Sequence, residues 1–322
     1  MQNGLQDGVL FVAITPFLHP QLSILRGLAS PRMAKRSARV KWWKAKAQNL
    51  RVGTWNVRSL VESLGSVETA SRRGIVVEDK KIDRVVQILF RYDIDITGLQ
   101  ETHWFGNATY RVGGSLVLTS GRPVPDETSH CRRGEGVALV LSGAATEAWR
   151  SAGCIVEAVS SRLMYARFKF TLRTGETQWV RVICAYAPTF RSSLLEKEKF
   201  YADVQAALDG VQRNEEFFLL GDFNARIGSR TSVDDEWSAV RGPHGLGELN
   251  SSGEELLNFL SRNGATVCNT WFSKRANLKE TWQHPRTKKW HCIDFLIIPQ
   301  PARRRCLDAQ IVRDVECSTD HA

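Results

Sequence analysis

No run of 18 apolar residues occurs in this 322-residue chain, so no membrane-spanning helix is expected and a membrane is not an expected partner. The apolar stretch from Val9 to Leu18 is short, is broken by Pro16 and follows Asp7 rather than basic residues, which makes it a poor secretory signal. The chain has no C-x-x-C pair, and its seven cysteines are odd in number. That count and spacing disfavour a disulfide framework or a zinc site and suit a reducing compartment. Internal repeats are absent. Acidic residues are absent from "RMAKRSARVKWWKAKAQNLR", residues 32–51. Residues 1–50 hold eight Lys or Arg against one acid, a net of +7, which leaves +3 of the total +10 for the remaining chain. The basicity thus belongs mostly to an arm. It reads as a nuclear-localisation or phosphate-binding segment, or equally as a solvated, disordered extension over 1–49 or a stretch translated from outside the original domain.

What is present is ordinary for a globular protein: 43% hydrophobic and 24% charged residues. One large domain is expected over 50–322. From Arg51 onward, short runs rich in Val, Ile, Phe and Trp predict strands near 51–56, 94–100, 114–119, 136–142, 154–170 in two pieces, 179–186, 216–221, 266–271, 292–298 and 309–315. Apolar residues three and four apart predict helices near 78–91, 194–212 and 254–263. Leu195, Phe200, Val204 and Leu208 mark the apolar face of the second. The third has Ser252 available as a cap and Gly264 just past its end. Many strands with several helices, not in strict alternation, give an α/β sandwich with sheets inside and helices outside.

Several of these strands finish in groups that an apolar core does not want. "RVGTWN" ends at Asn56, "IDITGLQE" at Glu101, "VICAY" at Tyr186 and "FFLLGDFN" at Asp222 and Asn224, while "CIDFLIIP" carries Asp294 inside an apolar run. Sites in open α/β folds gather beyond strand ends, so these events suggest one convergent site. Asp222 and Asn224, two apart in an extended segment, point the same way, and Gly221 admits a close neighbour; the same G-D-x-N also reads as a plain strand-to-turn exit. Glu101 is a candidate ligand for a hard cation, with His103 a weaker second. Asp294 is costly to bury without a cationic or hydrogen-bonding partner. His321 is the attractive one, since a buried carboxylate favours the imidazolium. His284 and His291 flank "HPRTKKWH" and read as solvated hairpin tips; the turn contributes Arg286, Lys288 and Lys289, a basic loop able to touch a nucleic-acid backbone.

The series "WNVRS", "LQETHW", "CAYAPT", "LLGDFNARIG", "TWQHP", "CIDFLIIP" and "STDH" resembles the exonuclease-endonuclease-phosphatase superfamily. Within it the chain is most similar to the apurinic-type endonuclease domain of non-LTR retrotransposons. It looks especially close to the craniofacial development protein 2-like group, which shares "GPHGLGELNSSGEELLNFL" and "NTWF". The resemblance covers roughly residues 50–321. It implies a four-layered, DNase I-like α/β sandwich and a Mg²⁺- or Mn²⁺-dependent nicking endonuclease, with DNA as partner and no small-molecule cofactor. It also implies roles: Glu101 holds the metal with Asn56 and Asp320, Asp222 deprotonates the attacking water, and Asn224 and Tyr186 position the phosphate. His321 stabilises developing charge, Asp294 holds its imidazole, and Thr281 contacts the phosphate. The products would be a 3′-hydroxyl and a 5′-phosphate.

Two departures from the pattern bear on function. Arg58 stands where repair-type enzymes carry an acidic residue, which favours the retrotransposon branch and adds Arg58 to the DNA-contacting set. The family's domain also continues beyond its Asp-His, so the chain reads as truncated at that end, with the His321 imidazole loosely held. The alternatives are a catalytically weakened nucleic-acid-binding remnant and, behind it, a phosphatase on the same scaffold. A nuclear location is the expectation from the arm and the substrate.

Overall fold

The computed structural model describes residues 7–14, 49–61, 80–123, 135–171, 175–230, 232, 235–315 and 319–321. Two mixed sheets lie face to face with helices outside them. The first contains β1 (Asp7–Ile14), β2 (Leu50–Asn56), β3 (Ile96–Gln100), β4 (Thr109–Val112), β5 (Ser115–Ser120), β6 (Val137–Leu141) and, at its far edge, β15 (Cys306–Val315), in the order β15-β1-β2-β3-β6-β5-β4. The second contains β7 (Val156–Ser160), β8 (Leu163–Thr171), β9 (Thr177–Tyr186), β10 (Glu215–Asp222), β11 (Ala265–Val267) and β14 (Asp294–Pro299), in the order β11-β14-β10-β9-β8-β7. A small hairpin, β12 (Trp282–Gln283) with β13 (Trp290–His291), stands apart.

Strand alternation assigns each apolar side chain to a layer. Val52, Ile96, Leu139 and Leu141 from the first sheet meet Val180, Val182, Phe218, Leu220 and Leu296 from the second in one core. The opposite faces carry Trp55, Leu99 and Val140 in one cluster, and Ile183, Leu219 and Phe295 in another. Of the four α-helices among the described residues, three cover these faces. α1 (Lys80–Arg91) packs Ile82, Val85, Val86 and Leu89 on the first sheet, while α3 (Leu194–Asp209) and α4 (Ser251–Arg262) pack Phe200, Val204, Leu256 and Leu260 on the second. α2 (Gly143–Ser151) contributes Ala145, Ala148 and Trp149 to the intersheet core. The result is the expected four-layered sandwich.

Two parallel pairs position the site. β2 runs beside β3 with Asn56 opposite Gln100, and β9 runs beside β10 with Tyr186 opposite Asp222. β14 enters antiparallel to β10 with Asp222 opposite Asp294. The polar strand ends of both sheets therefore finish at one rim. The sheets are close there: a Cβ on Gly98 would lie 2.1 Å from a Leu220 methyl of the other sheet, and within the second sheet one on Gly221 would lie 1.8 Å from the carbonyl oxygen of Ala185 on β9.

Several sequence expectations need correction. The extension over 1–49 contains β1, which pairs antiparallel with both β2 and β15; residues 1–6 and 15–48, and with them most of the basic arm, lie outside the described residues, as do Cys131 and Cys317. The five described cysteines are free thiols. Asn250, not Ser252, caps α4, its side-chain oxygen accepting from the Gly253 N–H at 2.8 Å. Leu195 is 75% exposed rather than on the buried face of α3. α2 is an addition to the three expected helices, although its signals stand in the sequence: Ser142 caps it, accepting from the Ala145 N–H, and Ala145, Ala148 and Trp149 recur at helical spacing. The strand near 266–271 stops at Val267 and turns into a 3₁₀ helix over Cys268–Thr270. Its buried Asn269 donates to the Asp294 carbonyl at 2.9 Å and accepts from the Leu296 N–H at 3.0 Å.

Candidate active site

Asn56, at the end of β2, joins the two sheets. Its side-chain nitrogen donates to Glu101 Oε1 at 2.9 Å and to Asp222 Oδ2 at 3.0 Å, while its Oδ1 accepts the Arg58 N–H at 3.0 Å. Tyr186 donates its hydroxyl to the same Glu101 Oε1 at 2.9 Å. The Asn224 N–H reaches Asp222 Oδ1 at 2.9 Å, so both oxygens of that carboxylate are held. His321 closes the group, with Nδ1 3.0 Å from Asp294 Oδ2 and Nε2 3.8 Å from Asp222 Oδ2. Asp222, Asp294 and His321 are all buried.

The backbone carries strain at this rim. Arg58 (φ 47°), Glu101 (φ 54°), His103 (φ 60°) and Asn224 (φ 48°) are all left-handed without being glycine. Such conformations cost on the order of 1 kcal/mol or more each and persist where surrounding structure over-determines them, typically at functional sites.

The electrostatics follow from burial and pairing. Burial alone would raise the Glu101 carboxyl, but the facing His103 and the donors from Asn56 and Tyr186 outweigh it and bring it down to about 2. Asp222 goes the other way: burial and the neighbouring Asp294 carboxylate raise it to about 7 against the pull of His321 and its N–H donors. Burial disfavours the His321 imidazolium, yet the charges of Asp294 and Asp222 and the bond to Asp294 prevail and raise it to about 9. Tyr186 is pushed far up by burial and by Glu101 and Asp222, so its O–H stays a donor. At neutral pH the rim therefore carries an ionised Glu101, a charged His321 and an Asp222 poised to take or give a proton.

Not every expected residue joins the group as expected. Thr281 is fully buried, and its hydroxyl oxygen accepts from the Ile293 N–H at 3.0 Å and the Asp294 N–H at 3.2 Å. It supports the Asp294 turn instead of facing outward. The Asn224 side-chain nitrogen donates to the Ala187 carbonyl at 2.9 Å, tying the loop after β9 to the loop after β10. Asp320 lies 3.6 Å from the Arg58 guanidinium and accepts from the Trp282 indole at 3.4 Å. Arg286, Lys288 and Lys289 are exposed at the tip of the β12–β13 hairpin. His284 accepts the Arg286 and Thr287 N–H groups there, whereas His291 sits half-buried within β13.

Two residues that sequence reasoning passed over hold His321. The Thr319 hydroxyl donates to the Asn56 carbonyl at 2.9 Å and accepts the His321 N–H at 3.2 Å. Trp282 forms a β-bridge with His321, its ring 6.4 Å from the imidazole, and the Gln283 N–H donates to the Asp320 carbonyl at 3.1 Å. The imidazole and its backbone thus have partners from Asp294, Thr319 and the β12–β13 hairpin, where a loosely held ring was expected. The Thr-x-His spacing was the available signal, since Ser and Thr hydroxyls commonly accept an N–H two residues on.

The donor chemistry suits a hard divalent cation at Glu101, an ionised carboxylate whose Oε2 faces His103 Nε2 at 3.8 Å, beyond hydrogen-bond distance. In this arrangement Asn56 orients Glu101 through its side-chain nitrogen, while its Oδ1 accepts the Arg58 N–H. Asp222, Asp294 and His321 also bring ligand atoms within 4.8 Å of one another. A histidine that keeps its proton to about pH 9 against Asp294 is better read as a hydrogen-bonded cation than as a metal ligand.

Two facing sheets, parallel pairs ending at one rim and a carboxylate-imidazole-amide set there define a hydrolase-type site on a DNase I-like fold. The sequence profile of the Endonuclease/Exonuclease/phosphatase family matches residues 53–321, and the chain belongs to that family. It is 28% identical over 270 residues to craniofacial development protein 2 of Bos taurus, covering 84% of this chain and 39% of that protein, and 28% identical over 270 residues to the one of Tragulus javanicus, covering 84% and 40%. The chain thus spans about two fifths of the length of these curated relatives. Among solved structures, the Xenopus laevis APE2 catalytic domain superposes with a TM-score of 0.55 at 17% identity, covering 84% of this chain and 88% of that one. The AP endonuclease LMAP from Leishmania major superposes with a TM-score of 0.50 at 11% identity, covering 81% and 87%. Both show the shared fold.

Proposed function

We propose that this chain is a metal-dependent phosphodiesterase that nicks DNA, leaving a 3′-hydroxyl and a 5′-phosphate. The observation that carries the reading is the Asp222 carboxylate, held on both oxygens by Asn56 and Asn224 and placed 3.8 Å from a His321 that Asp294 keeps charged. In-line attack on a phosphodiester needs an activated water, neutralised phosphoryl oxygens and a stabilised leaving oxygen. Asp222, raised toward neutrality, accepts the water proton. His321 supplies a fixed positive charge to a phosphoryl oxygen, with Asp294 fixing the ring's orientation. Tyr186 and Asn56 aim Glu101, which with Asp320 would hold the cation. That cation, Mg²⁺ or Mn²⁺, would supply Lewis-acid neutralisation of the phosphate when bound.

Arg58 supports the retrotransposon-type reading and tells against specific abasic-site repair. Its exposed guanidinium stands beside Asp320 and adds positive charge where a phosphate backbone would pass. The test is conversion of supercoiled plasmid to open circles with Mg²⁺ or Mn²⁺. Nicking should vanish with chelator and fall at least about 100-fold in Asp222→Ala. Retardation of plasmid without nicking would overturn the enzymatic reading and leave a nucleic-acid binder.

A further inference from the structure

The loop that leaves the site after Tyr186 carries apolar surface that the core does not use. Phe190, Leu194 and Leu195 are 66%, 68% and 75% exposed, and only Phe90 exceeds them among the large hydrophobic residues described. Single exposed apolar residues need no explanation, but three fall here within six positions. The loop is also hydrogen-bonded at both ends. At its start the Ala187 N–H donates to the Asp222 carbonyl at 2.8 Å, and the Ala187 carbonyl accepts from Asn224. A turn bond from the Ser192 N–H to the Thr189 carbonyl follows at 3.0 Å. At its end Ser193 and Glu196 form a reciprocal capping box on α3.

Lys197 supplies the second observation. It sits in the first turn of α3, where a cation opposes the helix dipole and adds nothing to helix stability. Its ammonium donates to the Phe190 carbonyl at 3.1 Å and lies 5.4 Å over the Phe190 ring. One face of an exposed aromatic is thereby set against a cation. Ala187 to Phe190 is three Cα steps, at most about 11 Å. Along the axis of a duplex, at about 3.4 Å per nucleotide, that distance is about three steps, and fewer where the strand is unstacked and extended.

We propose that Phe190 is a stacking platform for one nucleobase of the strand being cut, with Lys197 meeting an adjacent phosphate. This rests on the nuclease reading above. The platform would favour DNA in which a base beside the cleavage position is already unstacked, as in a single-stranded, bubbled or bent segment. An aromatic face accepts any base, so the preference is for strand structure and not for sequence.

The experiment uses the full chain and a duplex carrying a short unpaired bubble with a 2-aminopurine, read by fluorescence in chelator so that no cleavage occurs. Wild type and Phe190→Trp should change the 2-aminopurine signal on binding. Phe190→Ala should lose that change and bind the bubble about 5- to 100-fold more weakly, with fully paired duplex affected less. Phe190 is exposed, so the alanine variant should keep the wild-type melting temperature. Equal affinity and equal signal for Phe190→Ala would overturn the platform while plasmid nicking by wild type still upheld the nuclease. A stacking signal without nicking would uphold the platform and overturn the nuclease. Absence of any DNA binding by wild type would overturn the platform.

Discussion

His321 shows how a single ionisation ties the site to stability. Its proton is bound more tightly in the folded chain, at about 9 against the ordinary 6.5, because Asp294 and Asp222 face it. Its contribution is therefore full below pH 6.5 and is lost as pH rises through 9. Measured by urea denaturation in chelator, the wild type should lose on the order of 3 kcal/mol more than His321→Gln between those limits. Parallel losses in the two proteins would mean that the imidazole is not held as a cation. The sequence made Asp294 legible as a carboxylate in need of a partner, and the Asp222-x-Asn224 pair legible as a strand exit. It did not reveal that Asn56 offers its N–H groups to two carboxylates, or that Thr281 faces inward. Those orientations depend on hydrogen-bond partners far away in the chain.

Elements carry the next level of specification. β1 fills the space between β2 and β15, satisfying backbone groups on both. Deleting residues 1–14 should leave unpaired edges on β15 and on β2, the strand that bears Asn56. A lowered melting temperature and a greater tendency to aggregate are expected; an unchanged melting temperature would show that β1 adds nothing to the sheet. A smaller effect is expected at the start of α4. Asn250→Ala removes the oxygen that accepts from Gly253 and also from the Arg226 N–H, and should cost about 1 kcal/mol or somewhat more in denaturant titrations. The interior strands were legible because burial on both faces demands continuous apolar runs. β4 was not, because three of its four residues are exposed and its pattern is mostly polar.

The whole molecule separates a nearly balanced domain from a basic arm, since residues 51–322 carry +3 of the total +10. If the arm contributes to DNA binding, replacing Arg32, Lys35, Arg36, Arg39, Lys41, Lys44 and Lys46 with serine should flatten the plot of log affinity against log salt. On duplex DNA the slope should fall by roughly 0.9 for each phosphate that the arm no longer neutralises. An unchanged slope would assign binding to the domain alone. The sequence by itself determined which strands would be buried, which polar groups would stand at their ends and, through the ordered motifs, the family. Local alternation is enough for that, because a side chain's face depends only on its position along its own strand. Only the tertiary structure decided the partnerships. Asn56 meets Asp222 across 166 residues and Thr319 meets Asn56 across 263, separations that no local pattern encodes. Sheet register and the packing of one sheet on the other bring those groups together, and with them the charge states from which the proposed chemistry follows.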